Sequence, residues 1–251
     1  MSSPNVVALI PARLAATRLP DKPLVDIAGK TMIQHVWERV SQVRGVTAIA
    51  IATPDSAIQQ VVESFGGQAI MTSHEHRSGT DRLAEAARIL ELEPDDIVIN
   101  IQGDEPLLEP ANIEAALAPL LEDPALPMSS LTCPCPEIDR DNPACVKVVF
   151  APNGDALYFS RSRIPFPRDE STGVVTMQHI GLYAYRNGFL QTYSALAPTP
   201  LEQTEGLEQL RALENGYRIR MVRIEKAPIG VDTPEDLARV RALFENSFGL
   251  K

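Results

Sequence analysis

The stretch VVALIPARLAATRLPDKPL, residues 6–24, decides how the rest of the chain is read. Val6, Val7, Ala8, Leu9 and Ile10 form an unbroken apolar run of strand length. Such a run suits a strand covered on both faces, as in a parallel sheet. The run then enters a loop with three prolines, Arg13, Arg18 and Lys22.

Working outward, strands and helices alternate through the first half. Residues 46–52, VTAIAIA, read as a strand, and so do 69–71 and 96–101, DIVINI. Between them, Ile33, Val36, Trp37, Val40 and Val43 make one helical stripe. Residues 57–65 form a helix closed by Gly66 and Gly67, and 80–92 and 110–121 form two more. This alternation predicts an α/β fold, a doubly wound, mostly parallel sheet. The second half changes character. CVKVVFAPNGDALYFS, residues 145–160, is two strand-like runs about Asn153-Gly154, a hairpin signal. Residues 179–185 and 218–224 read as strands, 201–215 as a helix closed by Gly216, and 234–244 as a last helix with Thr233 as its cap. The expectation is one domain over 1–251 with an inserted β-rich lobe at about 128–200.

Bulk composition excludes several classes. The net charge is -10, whereas a duplex nucleic-acid binder is usually basic. No apolar run approaches a membrane span or a signal-peptide core, so neither membrane nor export is expected. Cys133, Cys135 and Cys145 are odd in number and lack zinc spacing, which argues against a disulfide framework or a structural zinc. His74 and His76 have no third ligand at metal spacing and read as an exposed loop.

Two phosphate-binding patterns fail on inspection. DIAGKT, residues 26–31, ends in Gly-Lys-Thr, but a P-loop needs glycine where Leu24 stands and a strand just upstream. No G-x-G-x-x-G follows the first strand, which removes a dinucleotide-binding oxidoreductase. The basic loop remains. In doubly wound sheets ligands bind beyond the carboxyl ends of strands, where this loop lies. An acidic protein with a local cluster of guanidinium and ammonium groups there fits a nucleoside triphosphate, which carries about four negative charges. NIQGDEP, residues 100–106, puts Asp104 at another strand end. A hard divalent ion takes one or two carboxylates and fills its shell with phosphate and water. Asp232, in GVDTPEDL at 230–237, reads either as a second such ligand or as an Asx turn before a capped helix.

These stretches occur in order with SGTDRLAE (78–85), ALYFSRSRIP (156–165), HIGLYAYR (179–186) and LEQLRALENGYRI (207–219). Together they closely resemble the 3-deoxy-D-manno-octulosonate (Kdo) cytidylyltransferase family from Val6 to about Phe244. The resemblance implies a nucleotide-diphospho-sugar transferase-like fold and a Mg²⁺-dependent reaction of CTP with Kdo. It further implies a cytoplasmic homodimer serving lipopolysaccharide core synthesis, its dimer contacts in the β-rich lobe. Residue by residue, it implies that Arg13, Arg18 and Lys22 contact phosphates, with the backbone at Ala12 near the base and Ser78 and Arg82 closing around cytidine. Asp104 and Asp232 take the metal positions. Gln102, Arg161, His179, Tyr183, Glu208 and Gln209 take the sugar-acid positions. Read alone, Tyr183 would be a core residue and Glu208 a solvated helix face. The chain departs from the common pattern in having only residues 170–178 between RIPFPRD and HIGLYAY. A short segment also occurs in a branch acting on the 8-amino analogue of Kdo. A sialic acid as substrate, or a nucleotide-binding module without catalysis, are the remaining alternatives.

Overall fold

The computed structural model describes residues 4–15, 19–76, 78–169 and 173–248. In chain order its elements are β1 (Val6–Pro11), β2 (Asp26–Ile27), β3 (Lys30–Thr31), α1 (Met32–Val40), β4 (Ala48–Thr53), α2 (Ser56–Ser64), β5 (Gln68–Met71), α3 (Gly79–Ile89), β6 (Ile97–Asn100), α4 (Pro110–Glu122), β7 (Met128–Pro134), β8 (Lys147–Phe150), β9 (Ala156–Ser160), β10 (Met177–Arg186), α5 (Asn187–Ala195), α6 (Pro200–Glu205), α7 (Gln209–Glu214), β11 (Ile219–Arg223) and α8 (Pro234–Phe248). Contacts divide the chain into two compact units, 1–114 with 228–251, and 115–227.

The first unit carries the strand order β6-β1-β4-β5, all parallel. Its register pairs Val7 with Ala48 on one side and with Val98 on the other. Val6 to Ile10 and Ile97 to Ile99 are buried throughout, as continuous apolar runs in a covered parallel sheet must be. Helix α1 buries Met32, Ile33, Val36 and Val40, and α3 buries Leu83, Ala84, Ala86 and Ala87. The failed P-loop is a hairpin turn. Ala28 (φ 52°) and Gly29 (φ 84°) join β2 to β3, and β3 runs into α1 with Thr31 at its N-cap. A second apolar cluster joins α8 to the basic loop. Leu237, Val240 and Phe244 pack with Leu19, Ile27, Met32 and Val231. Helix α8 starts with reciprocal capping, Thr233 Oγ1 accepting from Asp236 N while Asp236 Oδ2 accepts from Thr233 N.

The second unit is mixed. Strand β7 pairs parallel with β11 and antiparallel with β10, while β8 pairs antiparallel with β9 and β10. The hairpin at Asn153-Gly154 forms as expected, with Gly154 at φ 87°. The single helix expected over 201–215 is a correction. It is two short helices, α6 and α7, separated where Gly206 takes the left-handed conformation at φ 63°. Thr199 and Glu202 form a capping box at the start of α6, and glycine at its end stops it. Strand β7 and helix α5 have no counterpart in the sequence reading.

Candidate active site

Eight of the residues singled out from sequence line one cavity of about 420 Å³ in the first unit: Ala12, Arg13, Lys22, Ser78, Arg82, Gln102, Asp104 and Asp232. Arg18 lies outside the described residues. The cavity sits at the carboxyl ends of β1 and β6, which is where a doubly wound sheet exposes its loops. Backbone bonds fix its rim. Ala12 N donates to Ala52 O (3.0 Å) and Leu14 N to Asp55 Oδ2 (2.8 Å).

Lys22 is the centre of the charged cluster. It opens a 3₁₀ turn over Lys22–Leu24, and its Nζ donates to Asp104 Oδ2 at 2.6 Å and Asp232 Oδ1 at 2.8 Å. Burial works against the Lys22 charge, but attraction to Asp104 and Asp232 outweighs it and holds the pKa above the ordinary lysine value. The two carboxylates are brought together by the backbone as well, since Val231 N donates to Asp104 O at 2.9 Å. Gly103 lets the backbone approach β1 closely. A Cβ on it would lie 3.3 Å from Pro11 O and 3.5 Å from Ile10 Cγ2. Its neighbour Glu105 has Oε2 sealed from solvent without a partner, although part of the residue reaches the surface. Burial and then Asp104 raise its pKa to about 8, so it adds little negative charge at neutral pH.

Asp104, after β6, and Asp232, just before α8, converge on a single cation, the Lys22 ammonium. Their oxygens suit a hard divalent ion, and two carboxylates are the number Mg²⁺ takes when phosphate and water complete its shell. Among the described residues, no set of three His, Cys, Asp or Glu side chains would hold a metal unaided. The pair therefore fits a metal that arrives with a phosphate ligand.

The same cavity is lined by two arginines, Arg13 and Arg82. Arg82 is 4% exposed, with Nη1 donating to Thr72 Oγ1 (2.5 Å) and Ser73 O (3.1 Å). Burial and then repulsion from Arg13 lower its pKa, yet a guanidinium stays charged at neutral pH. Two guanidinium groups lining one cavity suit an anion, although Asp55 and Glu85 offset part of their charge. Ser78 caps α3, its Oγ accepting from Asp81 N at 3.1 Å, and lines the cavity as well, so its two readings hold together. His76 was misread as part of an exposed loop. It lines the cavity, its Nε2 2.6 Å from Glu85 Oε2, which also accepts from Ser73 N. Nothing in the local sequence signals a pairing across nine residues that depends on how α3 packs.

The sugar-site candidates other than Gln102 lie in the second unit. Arg161, at the end of β9, donates from Nε to Glu205 O (2.7 Å), from Nη1 to Pro143 O (2.9 Å) and from Nη2 to Gly206 O (3.2 Å). A guanidinium has five N–H groups, so two remain for a ligand. His179 and Tyr183 lie along β10 with ring centroids 5.5 Å apart, on either side of a register shift between Ile180 and Tyr183. Burial depresses the His179 pKa to about 3. Ser130 Oγ is 3.0 Å from His179 Nε2 and faces the Ile180 and Leu182 carbonyls. Tyr183 is pushed well above the usual tyrosine range by burial, then by Tyr193 and Glu208. Glu208 and Gln209 open α7. Gln209 is buried, and its Nε2 has no hydrogen-bond partner. A buried amide donor left open is a position at which a hydroxyl-rich ligand gains specificity.

Comparisons with known proteins place nearly the whole chain in a family. Residues 7–222 match the cytidylyltransferase family. The 3-deoxy-manno-octulosonate cytidylyltransferase of Syntrophus aciditrophicus (strain SB) is 52% identical over 94% of this chain and 96% of its own length. That of Syntrophotalea carbinolica is 50% identical over 95% of this chain and 98% of its own. A solved structure of CMP:2-keto-3-deoxy-manno-octonic acid synthetase complexed with CTP superposes with a TM-score of 0.93, at 47% identity, over 97% of this chain and 99% of that one. The chain belongs to the 3-deoxy-manno-octulosonate cytidylyltransferase family.

Proposed function

We propose that the protein transfers a cytidylyl group from CTP to 3-deoxy-manno-octulosonate and releases pyrophosphate. The observation that carries this reading is the cavity in which the like charges of Arg13 and Arg82 share one lining with a Lys22 gripped by Asp104 and Asp232. An anionic substrate relieves the repulsion, and a cation is wanted by both carboxylates. A relative of 47% identity whose structure is described as complexed with CTP supports CTP as that anion.

In the proposed reaction the anomeric hydroxyl oxygen of the sugar acid attacks the α-phosphorus. An O–P bond forms, the bond to the β-phosphate oxygen breaks, and pyrophosphate leaves with the electron pair while the hydroxyl proton passes to solvent. Arg13, Arg18 and Lys22 bind and orient the triphosphate, and Arg82 closes around the cytidine. Ala12 supplies backbone at the base, and Ser78 closes beside it. Gln102, Arg161, His179, Tyr183, Glu208 and Gln209 hold the sugar acid. Most of the acceleration comes from positioning and charge neutralisation, as expected for phosphoryl-type transfer. Asp104 and Asp232 would hold a Mg²⁺ ion, which when bound would supply charge neutralisation at phosphate and a lower hydroxyl pKa. Lys22 Nζ, bound to both carboxylates in this structure, lines the same cavity and would be available to the phosphates.

Three further properties complete the reading. Three buried, free thiols suit a reducing cytoplasm. The product fits a route to lipopolysaccharide. A homodimer is supported by apolar side chains exposed in the second unit, Phe166 at 84% and Val174 at 64%. The test is pyrophosphate release with CTP and Mg²⁺ against 3-deoxy-manno-octulosonate, its 8-amino analogue and a sialic acid. Release with the first is expected. Release with the amino sugar alone would move the substrate and make residues 170–178 a specificity segment. CTP binding with no release from any of the three would favour a non-catalytic module.

A further inference from the structure

Lys147 is fully buried, with 0% exposure, in the short strand β8. Lysines are rarely found there, because an ammonium loses its hydration on burial. Its three N–H groups are all satisfied by main-chain carbonyls: Asn142 O at 2.8 Å, Cys145 O at 2.6 Å and Arg161 O at 2.8 Å. An aliphatic residue would fill the same space without the desolvation cost. The amine therefore links three pieces of backbone, and one of them is Arg161. On the other side stands Glu205, the last residue of α6. Its Oε2 accepts from the Arg161 backbone N–H at 2.9 Å, its Oε1 from Ser160 Oγ at 2.7 Å, and its own carbonyl takes Arg161 Nε at 2.7 Å. The Arg161 main chain is thus held at its N–H by an anion and at its C=O by a cation. Pro143, which receives Nη1, belongs to the loop that Lys147 ties down through Asn142 and Cys145.

We infer that Lys147 and Glu205 are positioning residues that fix Arg161 so that the two N–H groups left on its guanidinium point at the sugar-acid substrate. The inference rests on the assignment of Arg161 to that substrate. Neither residue needs to touch the substrate. An arginine side chain has many rotamers, and holding its backbone and three of its N–H groups removes the entropy that a free one would lose on binding.

The experiment measures steady-state pyrophosphate release for Lys147→Met, Glu205→Ala, Glu205→Gln and Arg161→Ala, with KM taken separately for each substrate. Amide exchange at Arg161 and melting temperature accompany it. Lys147→Met and Glu205→Ala are expected to raise KM for 3-deoxy-manno-octulosonate about tenfold and leave KM for CTP unchanged. Glu205→Gln keeps an acceptor for the Arg161 N–H and recovers part of the loss. The Arg161 amide exchanges faster in Glu205→Ala. An unchanged sugar KM, or two KM values rising together, overturns the inference, and so does a lower melting temperature with normal kinetics. If Lys147→Met does not fold, the Glu205 pair decides. If Arg161→Ala leaves the sugar KM unchanged, the assignment of Arg161 has failed and the inference falls with it. If Arg161→Ala raises the sugar KM while the Arg161 amide in Glu205→Ala stays protected, the assignment stands and the positioning role alone is overturned.

Discussion

At the scale of single residues, Asp104 and His179 make opposite demands on charge. Asp104 is needed ionised. Its carboxylate holds Lys22 in the structure and is proposed to hold Mg²⁺ in catalysis. Asp104→Asn keeps the shape and removes the charge. Turnover is expected to fall by about a hundredfold or more, while the melting temperature changes little because the side chain is partly solvated. Near-normal pyrophosphate release from this variant would remove Asp104 from the metal role. His179 is needed neutral. Its pKa falls from about 6.5 unfolded to about 3 folded, so above pH 6.5 neither state binds the proton and stability does not depend on it. Below that, the unfolded chain takes up a proton the native one refuses, and stability drops by about 1.4 kcal/mol per pH unit until the folded value is reached. At pH 4.5 the loss is about 2.7 kcal/mol, or two such units. His179→Gln removes this contribution. Urea unfolding at pH 7 and pH 4.5 should show a shallower acid dependence in the variant, and parallel slopes would refute the assignment.

At the scale of elements, Gly206 decides what α6 and α7 present. It sits at φ 63°, a conformation that costs a residue with a Cβ about 1 kcal/mol. A Cβ there would be 3.8 Å from Arg161 Nη2, an ordinary contact, so the expense lies in the backbone. Gly206→Ala should lower the melting temperature by a few degrees and raise KM for the sugar acid more than KM for CTP, because the Gly206 carbonyl receives Arg161 Nη2. Equal KM changes would detach this turn from the sugar side. The same turn shows where sequence reading stops. Leu207, Leu210 and Leu213 keep a helical stripe running past Gly206, so periodicity alone joins two helices into one. Strand β7 escaped for a different reason. Its sequence MSSLTCP is poor in large apolar residues, yet Ser129, Ser130 and Thr132 are fully buried. Each hydroxyl has a main-chain partner, Ala116 O for Ser129, Ile180 O or Leu182 O for Ser130 and Gln178 O for Thr132. Burial of satisfied hydroxyls leaves no alternation to read. By contrast β1, β4 and β6 were legible because strands covered on both faces are written as uninterrupted apolar runs. The cavity was legible where its residues follow directly from those strands, as Arg13 and Asp104 do. His76, Lys147 and Glu205 were not, since their partners are set by tertiary packing.

At the scale of the whole molecule, the chain carries a net charge of -10 but gathers Arg13, Lys22 and Arg82 around one cavity. Among the described residues no helix is long and apolar enough to cross a membrane. The apolar surface left on the second unit therefore needs another explanation, and a second copy of the chain is the proposed one. Phe166 and Val174 line a hollow of about 490 Å³ together with Pro165, Pro167 and Arg163, and Val175 beside them is 47% exposed. Isolated exposed apolar residues are common, but several in one segment mark a contact surface. With a chain of 27.4 kDa, sedimentation should give a particle near twice that mass, about 55 kDa for two copies. Phe166→Glu places a charge in the middle of the patch, and an isologous interface would receive it twice. The variant should sediment as a monomer at micromolar concentration with its fold intact by circular dichroism. A wild-type chain that sediments at 27.4 kDa would show that the patch has another use. A variant that stays dimeric would place the contact elsewhere on the chain.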